Sequence, residues 1–433
     1  MQPFTRRDFL KRGTLFVGMG ITAPTFITTT ARALAAQTEA CMTGSNNGRI
    51  LVVVQLGGGN DGANSMVPYN DPAYLAARPN LAIPESDVLP ISESLGFHNS
   101  LAPFRELYDQ GLLSVVQGVG YPNPNRSHFR STDIWTSGVP DALEETGWLG
   151  RYLDAQCSGE DRRLHAVDIG TTVSRLFWTG QSVIPAISSI ETFDLETDVR
   201  FPDDRDNQIE TLKLLNASST GAGYGEHVRQ VALEALSTSA ELQRVADAYT
   251  STIEYPSTRF ADGLRTIARI ISGDLGTRIF HVTIGGFDTH ANQASTHGEL
   301  LSEVALGIQA FIRDMEGMGV ADDVMVMTFS EFGRRLSENA SGGTDHGAAS
   351  SLWLAGGGLS TGLTGVAPDL NDLDDGDLKY TVDFRSVYGT VLEDWLGVDP
   401  APIIGTESFP KLDFVAEPAS VAGSNQPIAM AAD

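Results

Sequence analysis

The sequence predicts an α/β domain, a mostly parallel central sheet flanked by helices, with a mainly helical insertion. Three observations predict it. Continuous β-rich apolar runs recur along the chain. Amphipathic helical patterns lie between them, and Gly or polar residues close each run. The composition allows it, since 41% apolar and 19% charged residues over 433 positions suffice to bury a large core.

The first 35 residues read as an address. Thr5-Arg6-Arg7-Asp8-Phe9-Leu10-Lys11 has the form of a twin-arginine signal. An apolar stretch from Gly13 to Ile27 follows, then Ala31-Arg32-Ala33-Leu34-Ala35-Ala36 with A-x-A cleavage sites. The apolar stretch is shorter than the ~20 residues that a spanning helix needs. The expectation is therefore a removable export signal at 1–35, engaging the twin-arginine export machinery, and a periplasmic or secreted mature chain. The alternative is a basic, amphipathic N-terminal helix. Residues 36–48 are small and polar and read as a linker, 49–415 as the domain, and 416–433 as a flexible tail. No further run is long enough to span a membrane.

The formal charge is −26. Cleavage after Ala35 would remove five cations (Arg6, Arg7, Lys11, Arg12, Arg32) and one anion (Asp8), taking −26 to −30. Such a balance argues against nucleic acid or an anionic membrane surface as the main partner, because phosphates are repelled. A small anionic substrate held by local cations or a metal stays compatible with it. Cys41 and Cys157 are the two cysteines, too few for a disulfide scaffold or a four-thiolate zinc site. The sequence leaves open whether they pair.

The strands come in order. Ile50 to Leu56 is apolar throughout, the mark of a strand buried on both faces, and Gly57-Gly58-Gly59-Asn60-Asp61-Gly62 breaks it. Leu112 to Gln117 ends at Gly118. Ile279 to Ile284 ends at Gly285-Gly286, Val324 to Phe329 at Ser330-Glu331, and Leu352 to Ala355 at Gly356. Helices are expected where apolar residues step by three or four: Phe260 to Ile271, Leu300 to Met315 within Glu299–Met318, and Val387 to Trp395. Residues 189–258 carry weaker strand signals and many Thr, Ser and Asp, and read as the insertion.

In an open parallel sheet, sites form at the carboxyl ends of strands. Asp61 after the first strand is either an Asp-Gly turn or a carboxylate aimed into a site. Asp288 and His290, two residues apart after a strand, can both reach one metal ion; carboxylate with imidazole suits zinc, manganese or iron. His297 is kept separate, as a residue that can open the next helix. Glu331 follows its strand directly, as a polar cap or a ligand, with Arg334 or Arg335 as an anion binder. Asp345-His346, flanked by glycines, forms a loop of close approach. The cluster Asn123 to Ser131 holds a nucleophile candidate (Ser127 or Ser131), a base (His128) and two cations (Arg126, Arg130). Its bland readings are a helix N-cap at Ser127 or simple anion binding. No G-x-S-x-G elbow is present, which counts against an ordinary serine hydrolase.

Taken together and in this order, these stretches resemble the domain-of-unknown-function 1501 family of exported bacterial proteins. The matching segments are the leader, Gly57 to Gly62, Val119 to Phe129, Gly147 to Tyr152, Gly286 to His290, Phe329 to Arg334 and Gly343 to Gly347. More distantly, that family resembles the alkaline phosphatase-like superfamily of phosphatases, sulfatases and phosphopentomutases. The resemblance implies an alkaline phosphatase-like fold with a divalent metal. Asp61, Asp288, His290, Glu331 and His346 would be its ligands, and Ser127 is the nucleophile candidate by position. It places Phe332 where the superfamily has a ligating histidine, a departure, since a phenyl ring binds no metal. The expected function is an exported, metal-dependent hydrolase of phosphate or sulfate esters, with Arg126 or Arg130 stabilising the anion. The alternative is a non-catalytic binding or assembly protein on a degenerate hydrolase fold.

Overall fold

The structure is a computed structural model and describes residues 48–156, 165–179, 184–190, 207–211, 214 and 242–416. The leader, the linker to residue 47, both cysteines, most of the insertion and the tail from 417 lie outside the described residues.

An eight-stranded sheet organises the domain. Its strands are β1 (Ile50–Leu56), β2 (Leu113–Gly120), β3 (Ala166–Ile169), β4 (Ile279–Ile284), β5 (Val324–Phe329), β8 (Ser350–Ala355), β9 (Gly362–Thr364) and β10 (Val382–Asp383). A hairpin of β6 (Arg334–Glu338) and β7 (Thr344–His346) stands outside the sheet, between β5 and β8 in the chain. The sheet order is β9-β2-β8-β5-β1-β4-β3, with β10 beside β2. All pairings are parallel except those of β8, which runs antiparallel to both β2 and β5. The mostly parallel α/β architecture is therefore as the sequence predicts. The reversed strand matters for the site. Because β8 runs backwards, its N-terminal end shares an edge with the carboxyl ends of its neighbours, and His346, just before it, is delivered there.

Strand β1 is central, with β4 and β5 in parallel register on either side. Its alternate residues feed two cores, which explains a run with no polar face. Val52, Val54 and Leu56 face one core with Phe280 and Val326, against α3 (Ala102–Asp109), α6 (Arg259–Ser272) and α7 (Gln293–Met318). Leu51 and Val53 face the other with Met325 and Leu354, against α4 (His128–Ser137), α5 (Trp148–Gln156) and α8 (Phe384–Thr390). Helix α7 buries Leu301, Val304, Ile308, Phe311, Ile312 and Met315 at helical spacing and stops at Gly319, whose φ of +74° suits a left-handed cap. Helix α8 passes into a π turn at Val391–Trp395. Strand β3 has too short an apolar run, interrupted by Asp168, to be read from the sequence.

Asp61 lies in this framework, near the buried His297 and held by groups other than Asp288, His290 and His346. It caps the short helix α1 (Gly62–Ser65), its Oδ1 accepting from the Ala63 and Asn64 amides at 3.1 and 3.2 Å. Arg78, just past α2 (Pro72–Ala77), donates to Asp61 Oδ2 at 2.6 Å and to Oδ1 at 3.0 Å, and Gln293 Nε2 donates to Oδ2. Both members of the ion pair are fully buried. Burial pushes the Asp61 carboxyl up, but the Arg78 charge and hydrogen bond, with His297 and the Asn64 amide, hold it below its ordinary range. The expected ligand role for Asp61 is thus corrected: its oxygens are committed to a guanidinium, two amides and Gln293.

Removing one partner of such a pair strands a charge in the core. Arg78→Ala is expected to lower unfolding free energy by about 3–5 kcal/mol. Chemical denaturation of wild type and variant measures it, and a loss under about 1 kcal/mol contradicts the ion pair's role.

Candidate metal centre

Four chain segments meet at the carboxyl edge of β1, β4 and β5. The turn after β4 supplies Asp288 and His290, the hairpin β6–β7 supplies His346, the start of α4 supplies His128, and the second residue after β5 is Glu331. His128, Asp288 and His346 each place a ligand atom within 4.8 Å of the others. His346 Nε2 lies 3.1 Å from Asp288 Oδ1, and His128 Nε2 lies 3.5 Å from Asp288 Oδ2. His290 joins them, its Nε2 2.8 Å from His346 Nε2 and 3.1 Å from Asp288 Oδ1.

The far side of each ring decides its tautomer. His346 Nδ1 faces the Arg126 carbonyl at 2.8 Å, His128 Nδ1 faces Glu331 Oε1 at 2.8 Å, and His290 Nδ1 faces Asp345 Oδ1 at 3.2 Å. Those three oxygens only accept, so each Nδ1 carries the proton. A neutral ring held that way turns a bare Nε2 lone pair toward Asp288. Lone pairs facing one another beside a carboxylate repel; either a proton on Nε2, which lets the ring donate to Asp288, or one shared metal cation removes the repulsion. An outer acceptor fixing the tautomer is also what imidazole ligands ordinarily have.

Local charge points the same way. Asp288, Glu331 and Asp345 bring three carboxylates to the imidazoles, and of the three Asp288 pairs with the Arg334 guanidinium. Burial pushes the Asp288 carboxyl up, but hydrogen bonds from Arg334 and His346 and the charges of Arg334 and His290 outweigh it and hold it down at about 2. Asp288 is ionised at any physiological pH.

The backbone around the centre allows no larger residue. Gly58 has φ +121°, and a Cβ there would stand 2.3 Å from the Asp288 amide nitrogen. The Gly58 amide instead donates to Glu331 Oε1 at 2.9 Å. Phe332 is buried with its ring 4.5 Å from that of His346 and 4.9 Å from that of His128. It holds by packing two rings that it cannot replace as a ligand.

Family membership can now be placed on this geometry. Residues 115–406 match the family described as "Protein of unknown function (DUF1501)". The chain belongs to that family. No curated protein matches it in sequence. Among solved structures, this DUF1501 protein is similar to a protein in the alkaline phosphatase superfamily from Vibrio parahaemolyticus, with 10% identity, 89% of this chain and 78% of that one covered, and TM-score 0.37. It is also similar to the C-terminal periplasmic domain of EcEptC from Escherichia coli in complex with Zn (9%, 89% and 93%, TM-score 0.38). A third is the lipoteichoic acid synthase LtaP from Listeria monocytogenes (9%, 89% and 81%, TM-score 0.37). Superposition at that level equates no residue of this DUF1501 chain with one of theirs.

The residues expected from sequence divide as follows. Asp288, His290 and His346 come together. Glu331 is beside them as the acceptor that orients His128, not as one of the converging group. His128, expected as a base, instead points its Nε2 at Asp288. Ser127 is the exposed N-cap of α4 with no side-chain cap bond, and its amide is held by Asn125 Oδ1 at 2.9 Å. Ser131 is buried, its Oγ bonded to the Tyr121 hydroxyl at 2.7 Å and to the Glu331 carbonyl, so it is a tether and not a nucleophile. Neither expected anion binder is free. Arg126 pairs with Asp377 and Asp375, and Arg130 donates to the Pro140 and Ala142 carbonyls at 2.9 and 2.8 Å. Arg334 and Arg335 are likewise committed, the latter to Asp375 and Asp377. Sequence reasoning missed His128 as a converging ring, although it follows β2 as Asp288 follows β4. It also missed Asp345 as the acceptor behind His290.

Behind the Gly57–Asp61 loop, His297 of α7 is 2% exposed and donates from Nε2 to Asn60 Oδ1 at 2.9 Å. Burial lowers its pKa to about 4 against the attraction of Asp61. The unfolded chain takes up this proton near 6.5, the folded one near 4. Stability is therefore full above pH 6.5, falls as pH drops from 6.5 to 4, and has lost about 3 kcal/mol from this group below that. His297→Gln is expected to flatten the profile in that window. Denaturant midpoints at pH 7, 5.5 and 4.5 measure it, and parallel profiles for both proteins refute the assignment.

Proposed function

We propose that this DUF1501 protein is an exported, metal-dependent hydrolase of phosphate or sulfate esters. One observation carries the metal reading: three imidazoles, each with Nδ1 tied to an acceptor, converge their Nε2 atoms on Asp288. His128, His346 and Asp288, with His290, would hold one divalent cation, zinc, manganese or iron by donor type. When bound, such an ion polarises an ester oxygen and offsets the charge of an anionic substrate. Glu331, Asp345 and the Arg126 carbonyl orient the rings. Ser127, one residue before His128, stays the nucleophile candidate by position. Export through the twin-arginine machinery to the periplasm or beyond rests on the leader at 1–35. Among the described residues no helix is long and apolar enough to cross a membrane.

A second reading has its own support. Arg126, Arg334 and Arg335 are paired with carboxylates and Arg130 is tied through Nη2 to two carbonyls, so none of the four is an uncommitted clamp for a sulfate or phosphate. That favours a metal-holding binding or assembly protein without turnover.

Metal analysis of the purified chain, with a panel of phosphate and sulfate esters, separates the two. Wild type is expected to carry about one divalent ion per chain, and Asp288→Ala to lose both ion and turnover. Metal without turnover leaves the second reading; a folded chain that binds no metal defeats both. A finer test addresses the outer acceptor. Glu331→Gln is expected to weaken metal affinity by about 10–100-fold, read by calorimetric titration of the metal-free protein. An unchanged affinity would show that the His128 tautomer does not depend on Glu331.

A further inference from the structure

A cleft of about 910 Å³ opens at the carboxyl ends of β3 and β4, and none of the metal-centre residues lines it. Asp168 of β3 and His281 of β4 stand opposite each other in parallel register. Asp168 Oδ1 lies 2.9 Å from His281 Nδ1, with each side chain 3% exposed. The other carboxylate oxygen accepts from the Ser174 amide. The ionised carboxylate only accepts, so the His281 proton sits on Nδ1 and Nε2 keeps its lone pair. That Nε2 lies 3.4 Å from the hydroxyl of Thr283, two residues on and on the same strand face. Thr283 is exposed and lines the cleft.

The pair is poorly explained by stability. It shares its strand face with Leu51, Val53 and Ile279, which belong to an apolar core. A buried carboxylate set against a neutral imidazole carries a desolvation cost that well-packed apolar residues would avoid. What the pair supplies is geometry: an acceptor fixes the base, and the base faces an exposed hydroxyl. Free structures commonly hold nucleophile and base slightly beyond ideal hydrogen-bond distance.

We propose that Asp168, His281 and Thr283 form a second catalytic site, hydrolysing carboxylic esters independently of the metal centre. Thr283 is the nucleophile, His281 the base, and Asp168 the positioning residue. The walls set the substrate class: Thr171, Ser174 and Thr258 bring hydroxyls, and Arg259, Arg265 and Glu303 bring charges of both signs, so the ester is one of a polar, hydroxylated molecule, such as an acylated polyol. Gln55, opposite Thr283 in register, lines the same cleft as a neutral polar group. Thr283 Oγ1 bonds to the acyl carbon while its proton passes to His281 Nε2 and the carbonyl π pair moves onto oxygen. The tetrahedral species collapses, the bond to the alcohol breaks, and the alcohol leaves with the proton from His281. Water then adds to the acyl-threonine, giving its proton to His281. The acid departs and that proton returns to Thr283.

A fluorophosphonate probe tests this on the full chain, with and without EDTA, with the adduct located by peptide mass spectrometry. The phosphonyl group is expected on Thr283, unchanged by EDTA and absent in Thr283→Val, a substitution that keeps size and strand preference. His281→Gln is expected to slow labelling and p-nitrophenyl acetate hydrolysis by about 100-fold or more. Asp168→Asn donates to Nδ1, moves the proton to Nε2 and silences labelling. Circular dichroism and thermal melting identify variants that remain folded. No adduct on Thr283 in the wild type, labelling blocked by EDTA, or labelling at wild-type rate in a folded His281→Gln overturns the proposal.

Discussion

The buried guanidinium of Arg334 is the constraint on which the candidate metal centre depends. It sits at the start of β6 and is 1% exposed. It donates to the carbonyls of Gly58, Gly59, Phe287 and Thr344 and to the Asp288 carboxylate. Those acceptors belong to the loop after β1, the turn after β4 and strand β7. A single planar fork thus holds three separate segments in register, which a flexible ammonium could not do. It also leaves Asp288 charged and fixed where three imidazoles meet. Glycine at 58 and 59 lets the backbone come close enough for the fork to reach it.

What the sequence makes legible follows from how each signal is encoded. Strands β1, β4 and β5 are buried on both faces, so the apolar run itself announces them. Strand β3 is four residues long and carries Asp168, so its periodicity is too weak to read. The order of β8 in the sheet is invisible to local pattern, since parallel and antiparallel partners bury the same residues. That single reversal brings His346 to the site edge. Asp288, His290 and His346 stand out because polar residues follow or precede buried runs. Their division from Asp61 does not, because Asp61 is placed like the others and differs only in Arg78, seventeen positions away and brought back by α1 and α2. His128 was legible as a chemically active residue but not in its role, which depends on Glu331 some two hundred residues later.

Bulk charge and local charge act at different scales. A net charge of −26 spreads over a surface where solvent and salt screen it beyond about 10 Å. The centre is different, because each of its carboxylates sits 2.8–3.5 Å from an imidazole nitrogen. Arg126 and Arg335 are neutralised by Asp375 and Asp377 next to it. Their guanidiniums are thus paired outside the centre, with Arg335 adding the last of the attractions that hold the Asp345 carboxyl low. The Arg126 backbone carbonyl still reaches His346, so an arginine expected to act through its charge acts through its main chain.

Strand β4 then serves two arrangements without mixing them. His281 and Thr283 are fixed by ladder hydrogen bonds and point to one face by the two-residue repeat of a strand. Asp288 lies beyond Gly285-Gly286, where the positive φ of Gly286, +103°, turns the chain away from the strand direction. The turn lets one segment present an imidazole–hydroxyl pair from rigid backbone and, five residues on, a carboxylate to a different cluster. The two groups differ in what their imidazoles face: His281 has a carboxylate behind it and a hydroxyl before it, whereas His128, His290 and His346 turn their Nε2 atoms to one shared carboxylate.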